Sequence, residues 1–315
     1  MNQDREKQYK VIKFKCKDDY EGRVEATLIE RKIEKSQNKA VLYVHGFVDY
    51  FFQHELADWA NSIGYSFYAL ELRKYGRSIL PHQKPNNFIN YQEYFEELDM
   101  AVEFIRNEQN NNQLLLMGHS TGGLITSLYT HHRRDKKTID ALILNSPFFD
   151  FNMPSAVKSL ALPLIALMGR AFPKLPSPAG LKTGYAESIH KDFSGEWDFD
   201  LNYKPIEGFS VNLGWVNAIY TAQQELQKGL DIQVPVLVMH SSKSVVPGNY
   251  HPDMHAADAV LDVKDISRFA KVLGNDVEIV VVQEGMHDLI LSKKNVRDMV
   301  YKKMQFFLEK VNLSN

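Results

Sequence analysis

Apolar residues recur along the chain in two patterns that alternate with one another. The runs typical of strands are residues 9–15, 23–33, 39–44, 65–72, 114–117, 141–144, 234–239 and 277–282. The segments with apolar side chains at helical spacing are residues 56–63, 91–107, 124–129, 266–273 and 295–311. Strands that alternate with helices predict an α/β fold, with a mainly parallel sheet covered on both faces.

Residues 151–226 interrupt this alternation and are rich in proline, glycine and aromatic side chains. We predict that residues 1–150 and 227–315 form the core, and that residues 151–226 are an insertion folded over the sheet as a cap. Within it, residues 160–168 form a short apolar run with basic residues on its flanks. We interpret the run as a buried or capping helix, with transient membrane contact through the cap as the alternative.

The pentapeptide Gly118-His119-Ser120-Thr121-Gly122 follows one predicted strand and precedes a predicted helix. In that context G-x-S-x-G places a serine on a tight turn, and the glycines let neighbouring chain segments pass closely. We therefore predict that Ser120 is a nucleophile and that His119 is a packing residue. The N–H of Thr121 lies at the positive end of the helix dipole and is one candidate donor to an oxyanion.

A second oxyanion donor is expected from the loop after the strand at residues 39–44. That loop begins His45-Gly46-Phe47. We assign the donor to the Phe47 N–H, with Gly46 allowing the turn and His45 bracing the loop through hydrogen bonds.

The general base is assigned to His287, which follows the last predicted strand. Loops beyond the carboxyl ends of parallel strands are where active sites of such sheets collect. The acid should come between Ser120 and His287 in the chain, after the strand at residues 234–239. We favour Asp258, with Asp262 and Asp150 as alternatives. Asp262 is also placed to cap the following helix.

Composition narrows the range of partners. The chain has 315 residues, is 44% hydrophobic and carries a net charge of -2, which does not favour nucleic acid. The single cysteine, Cys16, and the polar residues 1–10 favour a cytoplasmic protein.

No cofactor fingerprint is found in the sequence. A metal site at His251 and His255 is set aside because Pro252 disfavours the helix that would align them.

Together these motifs resemble the α/β-hydrolase superfamily, in the branch of monoacylglycerol lipases, lysophospholipases and serine aminopeptidases. The residues that carry the resemblance are His45-Gly46-Phe47, Gly118-His119-Ser120-Thr121-Gly122-Gly123, Asp258-Ala259-Val260-Leu261-Asp262 and Met286-His287-Asp288. The resemblance implies a mainly parallel eight-stranded sheet with an inserted cap. It also implies that the first aspartate of D-x-V-x-D, here Asp258, is the acid of the triad.

Two segments depart from the pattern of this superfamily. Relatives often have an aspartate and a Gly-His-Gly run where this chain has residues 71–78, Glu-Leu-Arg-Lys-Tyr-Gly-Arg-Ser. The usual Gly-x-x-Asp after the seventh strand is replaced by Ser241-Ser242-Lys243-Ser244, and Asp258 follows only after a longer loop. Because both segments border the site in relatives, the departures bear on the substrate.

These features predict a serine hydrolase that cleaves carboxylic esters through an acyl-enzyme, with no metal or cofactor. The aromatic residues of the insertion predict an apolar pocket for a small-molecule acyl ester of monoacyl-lipid type. One alternative is an aminopeptidase or amidase, which needs an acidic cap residue such as Glu187, Asp192 or Glu196 to bind a free amine. The other is a non-catalytic binding module, whose mark would be a broken triad.

Overall fold

The computed structural model describes residues 7–33, 38–177 and 180–312. This part of the chain forms one eight-stranded sheet in the order β1-β2-β4-β3-β5-β6-β7-β8. The strands are β1 Lys10–Lys15, β2 Glu25–Arg31, β3 Lys39–Val44, β4 Ser66–Glu71, β5 Gln113–His119, β6 Ala141–Asn145, β7 Val236–Ser241 and β8 Val277–Val282. The pairs β1–β2 and β2–β4 are antiparallel and the other pairs are parallel, which confirms the predicted sheet.

Helices cover both faces of the sheet, as predicted. They are α1 His54–Ser62, α2 Tyr94–Glu103, α3 Thr121–His132, α4 Leu162–Ala171, α5 Gly184–Ile189, α6 Leu213–Gln227, α7 Val263–Ala270 and α8 Lys294–Asn312. Successive strand residues point to opposite faces, so Leu42 packs into the core beneath α2, α3 and α6. Its neighbours Val41 and Tyr43 pack with α1 and α8 on the other face.

The connection between β6 and β7 contains more helix than the sequence pattern indicated. It contains a π-helical turn at Val157–Ala161 and then α4, α5 and α6. Helix α6 was missed and crosses the predicted boundary of the insertion at residue 226. Its N-cap is Asn212, whose side chain accepts a hydrogen bond from the Trp215 N–H. An Asn cap before apolar residues at helical spacing was the signal for this helix.

The apolar run at residues 160–168 is buried on one side only. Leu162 and Ala166 are buried, whereas Leu164 and Leu167 are 64% and 63% exposed. The helix expected at this run is therefore buried on its inner side and exposed on its outer side. In the described part of the chain, no helix combines the length and the hydrophobicity needed to cross a membrane.

Candidate active site

Ser120 lies on the turn between β5 and α3 with φ of 51° and ψ of -117°, a region that residues with a side chain rarely adopt. Its backbone is held on both sides, because its N–H donates to the Asn145 carbonyl at 3.0 Å and its carbonyl accepts from the Phe148 N–H at 2.9 Å. A β-carbon on Gly122 would collide with the carbonyl oxygen of Val44, so the turn can approach β3 only with glycine there.

Three side chains from the ends of three strands form a continuous hydrogen-bonded chain. His287 Nε2 lies 3.0 Å from Ser120 Oγ, and His287 Nδ1 lies 2.9 Å from Asp258 Oδ2. The other oxygen of Asp258 accepts from the N–H groups of Val260 and Leu261, both at 2.8 Å. With Nδ1–H donating to Asp258, the Nε2 lone pair is directed at the serine hydroxyl and can accept its proton.

The two alternative acids are engaged elsewhere. Asp262 caps α7, since its carboxylate accepts from the Lys264 N–H at 3.0 Å. Asp150 pairs with Lys158 at 2.6 Å. The structure therefore brings Asp258, and neither of the alternatives, to His287.

The departure after β7 is compatible with the placement of Asp258. The longer loop returns to the end of β7, where the Asp258 N–H donates to the Lys243 carbonyl and its carbonyl accepts from the Val245 N–H, both at 2.9 Å. Ser244 Oγ accepts from the Val263 N–H at 2.9 Å. These bonds hold the Asp258 carboxylate beside His287 although no aspartate follows the strand directly.

Polar residues behind Ser120 fix the loop that carries His287. Asn145 Nδ2 donates to the Asp288 carboxylate at 2.6 Å, and Asn145 Oδ1 accepts from the Leu289 N–H at 3.2 Å. His119 is buried, bonds the Asn145 carbonyl at 3.1 Å and lies 4.9 Å from the His287 ring between centroids. Burial lowers the pKa of His119, which keeps this imidazole neutral and suits its predicted packing role.

The loop after β3 is braced by His45, as predicted. Its Nε2 accepts from the Leu72 N–H at 3.1 Å, and its Nδ1 lies 2.7 Å from the Gly46 carbonyl. Burial lowers the pKa of His45 to about 4, so the imidazole is neutral near pH 7. Within the described residues, the N–H groups of Phe47 and Thr121 have no hydrogen-bond acceptor.

The other departure, residues 71–78, lies behind this loop. Arg73 pairs with Glu97 at 2.7 Å, and Lys74 pairs with Asp19 at 2.6 Å. The Tyr75 ring packs 4.8 Å from the His45 ring between centroids. Tyr75 therefore supports the loop through packing, and the ion pairs hold the neighbouring residues Arg73 and Lys74 in place.

Sequence reasoning missed a buried ion pair beside the same loop. Lys204, in the insertion, donates to Asp49 Oδ1 at 2.9 Å. Burial opposes ionisation of Asp49, but the charge of the Lys204 ammonium favours the carboxylate, and the pKa of Asp49 falls below its usual value. Lys204 belongs to no motif and lies in an irregular stretch, so nothing in the sequence paired it with residue 49.

Tyr185 on α5 is a second residue that the sequence did not single out. Its ring lies 5.3 Å from the His287 ring between centroids, at a near-perpendicular angle. Its hydroxyl accepts a hydrogen bond from the Asp288 N–H at 3.0 Å. The insertion therefore packs directly against the imidazole of the hydrogen-bonded chain.

A cavity of about 510 Å³ opens over Ser120 and His287, between the sheet and the insertion. Its apolar lining includes Phe148, Phe151, Leu162, Ile165, Trp215 and Val216. Among the described residues that line it, Asp49 is the single carboxylate, and Lys204 neutralises it. The cavity therefore suits an apolar group whose reacting end lies at Ser120.

The three acidic residues considered for amine binding do not line this cavity. Glu196 pairs with Arg297 at 2.6 Å. Asp192 has a side chain that is 62% exposed and lies 3.5 Å from the Lys191 ammonium. Glu187 lies on α5 and is absent from the described cavity lining.

The fold is that of the α/β-hydrolases. The model of the family described as "Serine aminopeptidase, S33" matches residues 35–294, and the chain belongs to this family. No curated protein matches the chain.

Solved structures with the same fold include lipases and esterases. A soluble variant of the monoglyceride lipase of Saccharomyces cerevisiae, in complex with a substrate analog, is 19% identical, with a TM-score of 0.70 over 95% of this chain and 94% of that one. The monoacylglycerol lipase of Paleococcus ferrophilus is 17% identical, with a TM-score of 0.65 over 95% and 99%. A thermostable carboxyl esterase of Bacillus coagulans, with glycerol, is 12% identical, with a TM-score of 0.65 over 96% and 98%. At these identities the likeness shows the fold alone.

Proposed function

We propose that this protein is a serine hydrolase that cleaves carboxylic esters of single-chain lipids through an acyl-enzyme. The observation that carries the proposal is the chain Ser120–His287–Asp258, with distances of 3.0 Å and 2.9 Å, at the base of an apolar cavity. Membership of the family and the lipases that share the fold support hydrolysis.

In the first half of the reaction, Ser120 Oγ attacks the ester carbonyl carbon while its proton passes to His287 Nε2. The carbonyl oxygen becomes an oxyanion that accepts from the N–H groups of Phe47 and Thr121, and each such donor contributes about 3–4 kcal/mol. The carbon–oxygen bond to the alcohol then breaks, and the proton on Nε2 passes to the leaving oxygen. Water repeats the attack on the acyl-enzyme and releases the acid.

The insertion, residues 151–226, serves in this proposal as the cap that binds the acyl chain. It supplies cavity-lining residues, including Leu162, Ile165 and Trp215, and it packs against His287 through Tyr185. A cavity of about 510 Å³ is within the range of pockets for drug-sized ligands, which a medium-length acyl chain matches.

The cap also offers a surface for transient contact with a membrane, where such substrates reside. The outer side of α4 and the turn before it carry Leu160, Leu164, Leu167 and Met168, which are between 51% and 70% exposed. The exposed cations Arg170 and Lys174 follow in the sequence. An apolar helix face next to cations is suited to an anionic lipid surface.

An aminopeptidase activity, which the family description names, has less support from this cavity. Binding a free amine needs an unpaired carboxylate near the serine, whereas Asp49, the single carboxylate in the described lining, already pairs with Lys204. A free ammonium would therefore find no counter-charge in this part of the cavity.

Hydrolysis of a substrate series tests the proposal. Nitrophenyl acetate, butyrate, octanoate and palmitate would be compared with a leucyl arylamide, using wild type and Ser120→Ala. The proposal expects kcat/KM to rise from acetate to octanoate, with no cleavage of the arylamide and no activity in Ser120→Ala. Cleavage of the arylamide without cleavage of esters would establish the aminopeptidase instead.

A further inference from the structure

Lys204 is a buried cation whose hydrogen bonds go to the loop of Phe47. The residue is 8% exposed, and its ammonium donates to Asp49 Oδ1 at 2.9 Å and to the Val48 carbonyl at 3.2 Å. The Val48 and Asp49 acceptors lie 156 and 155 positions away in the chain. A buried ammonium loses its hydration and is costly unless it is paired, so these contacts define where the lysine and the loop lie.

The loop is in a conformation that needs such support. Val48 has φ of 48°, in the left-handed region that a β-branched residue rarely adopts because it is strained there. Asp49 Oδ2 accepts from the Gly46 N–H at 3.4 Å. Lys204 therefore holds the Val48 carbonyl and, through Asp49, the Gly46 N–H. These two groups flank the N–H of Phe47 on either side.

Aromatic packing fixes Lys204 and its surroundings. The rings of Phe52 and Phe199 have centroids 5.8 Å and 5.7 Å from the lysine nitrogen. The rings of Tyr50 and Tyr203 are 5.3 Å apart at their centroids. Residues 199–206 of the insertion are thus docked on the segment that follows the Phe47 loop.

We propose that Lys204 is a positioning residue for the oxyanion hole. This inference rests on the proposed function, because the Phe47 N–H is an oxyanion donor only if Ser120 forms an acyl-enzyme. An oxyanion donor is effective when it is oriented before the reaction begins, so loss of the lysine should affect the transition state more than the bound ester. If so, the oxyanion hole is complete only when residues 199–206 lie against the Phe47 loop.

Lys204→Met tests this role, and Lys158→Met is the matched control. Lys158 also joins the insertion to the core, through Asp150 and Asp265 at 2.6 Å each, but it does not contact the Phe47 loop. We expect Lys204→Met to lower kcat about tenfold to a hundredfold with little change in KM, as for a small misplacement of a reacting group. Lys158→Met should leave both constants close to those of wild type.

Inhibitor binding separates positioning from a general loss of structure. A trifluoromethyl ketone with an octyl chain forms an oxyanion with Ser120, whereas the matching octyl ether cannot. We expect Lys204→Met to weaken inhibition by the ketone by about the same factor as kcat and to leave inhibition by the ether nearly unchanged. Lys204→Arg should restore part of the ketone affinity, since a guanidinium can bond both acceptors.

If Lys204→Met does not fold, Lys204→Gln provides the same comparison with a neutral amide donor. Equal weakening of ketone and ether, or no weakening of either, would overturn the positioning role. So would equal effects of Lys158→Met and Lys204→Met. Failure of the proposed function is recognised separately, because wild type itself would then neither hydrolyse esters nor bind the ketone more tightly than the ether.

Discussion

Asp258 Oδ2 lies 2.9 Å from Nδ1 of His287, although 29 positions of chain separate the two residues. The carboxylate cannot rotate freely, because its other oxygen accepts two backbone N–H groups at 2.8 Å. Both residues are buried, at 0% and 2% exposure. A carboxylate held in this way fixes the imidazole in the tautomer that can accept a proton at Nε2.

We expect Asp258→Asn to lower kcat by about 10⁴-fold, because an amide can hold the imidazole in the wrong tautomer. The matched control is Asp262→Asn, at the last residue of the motif that begins with Asp258. Asparagine is also a good helix cap, and residue 262 does not contact His287. The measurement is kcat on nitrophenyl butyrate for both variants. Equal losses in the two variants would remove Asp258 from the role of the acid.

Stability should fall in acid partly because of His45. Burial lowers its pKa from 6.5 to about 4, so unfolding takes up a proton when the pH lies between these values. The stability that the neutral imidazole contributes is present above pH 6.5 and is lost as the pH falls through 4. Between about pH 7 and pH 4.5 this corresponds to a loss of roughly 2 kcal/mol.

The variant His45→Gln isolates that contribution, since glutamine keeps a donor and an acceptor but does not titrate. The free energy of unfolding in urea would be measured for both proteins at each pH. The difference in stability between wild type and the variant should shrink in acid. A difference that stays constant with pH would show that His45 does not titrate on unfolding.

Filling the cavity should shorten the preferred acyl chain. Val216 on α6 lines the cavity and is 8% exposed. In Val216→Phe the added ring atoms occupy space needed by the chain, and each methylene excluded costs about 1 kcal/mol of transition-state binding. We expect kcat/KM for octanoate to fall while that for acetate changes little. A uniform fall across the ester series would indicate damage to the serine or its base.

Charges on the outer side of α4 should abolish vesicle binding and leave the chemistry intact. Leu164 and Leu167 are exposed and lie outside the described lining of the cavity. The double variant Leu164→Glu/Leu167→Glu should hydrolyse soluble butyrate like wild type, but should no longer sediment with phosphatidylglycerol vesicles. Wild type that fails to sediment, or a variant that still does, would rule out this surface as the contact.

The site residues that lie directly next to a strand were predictable from the sequence. A strand-to-helix turn, for example, fixes where its serine lies. The elbow at Ser120 follows from β5, α3 and the two glycines, and His287 follows from its place after β8. The boundaries of β3 and β8 also match the predicted runs. Local spacing is sufficient for Ser120, whereas His287 also needs the rule that active sites collect beyond the carboxyl ends of parallel strands.

Contacts between distant segments were not predictable in the same way. The pairing of Lys204 with Asp49 depends on how the insertion folds over the sheet, which no local pattern specifies. Helix α6 was missed because the surrounding aromatic and proline residues obscured its periodicity. The sequence offers Asp258 as one of three candidate acids, and only the return of the loop after β7 to the strand brings its carboxylate to His287.

The most direct test of the central claim is labelling with a fluorophosphonate probe, followed by identification of the modified peptide by mass spectrometry. The account predicts that wild type is labelled on Ser120, that His287→Ala is labelled far more slowly, and that Ser120→Ala is not labelled. Absence of labelling in folded wild type, or labelling of another residue, would contradict the assignment of Ser120 as an activated nucleophile.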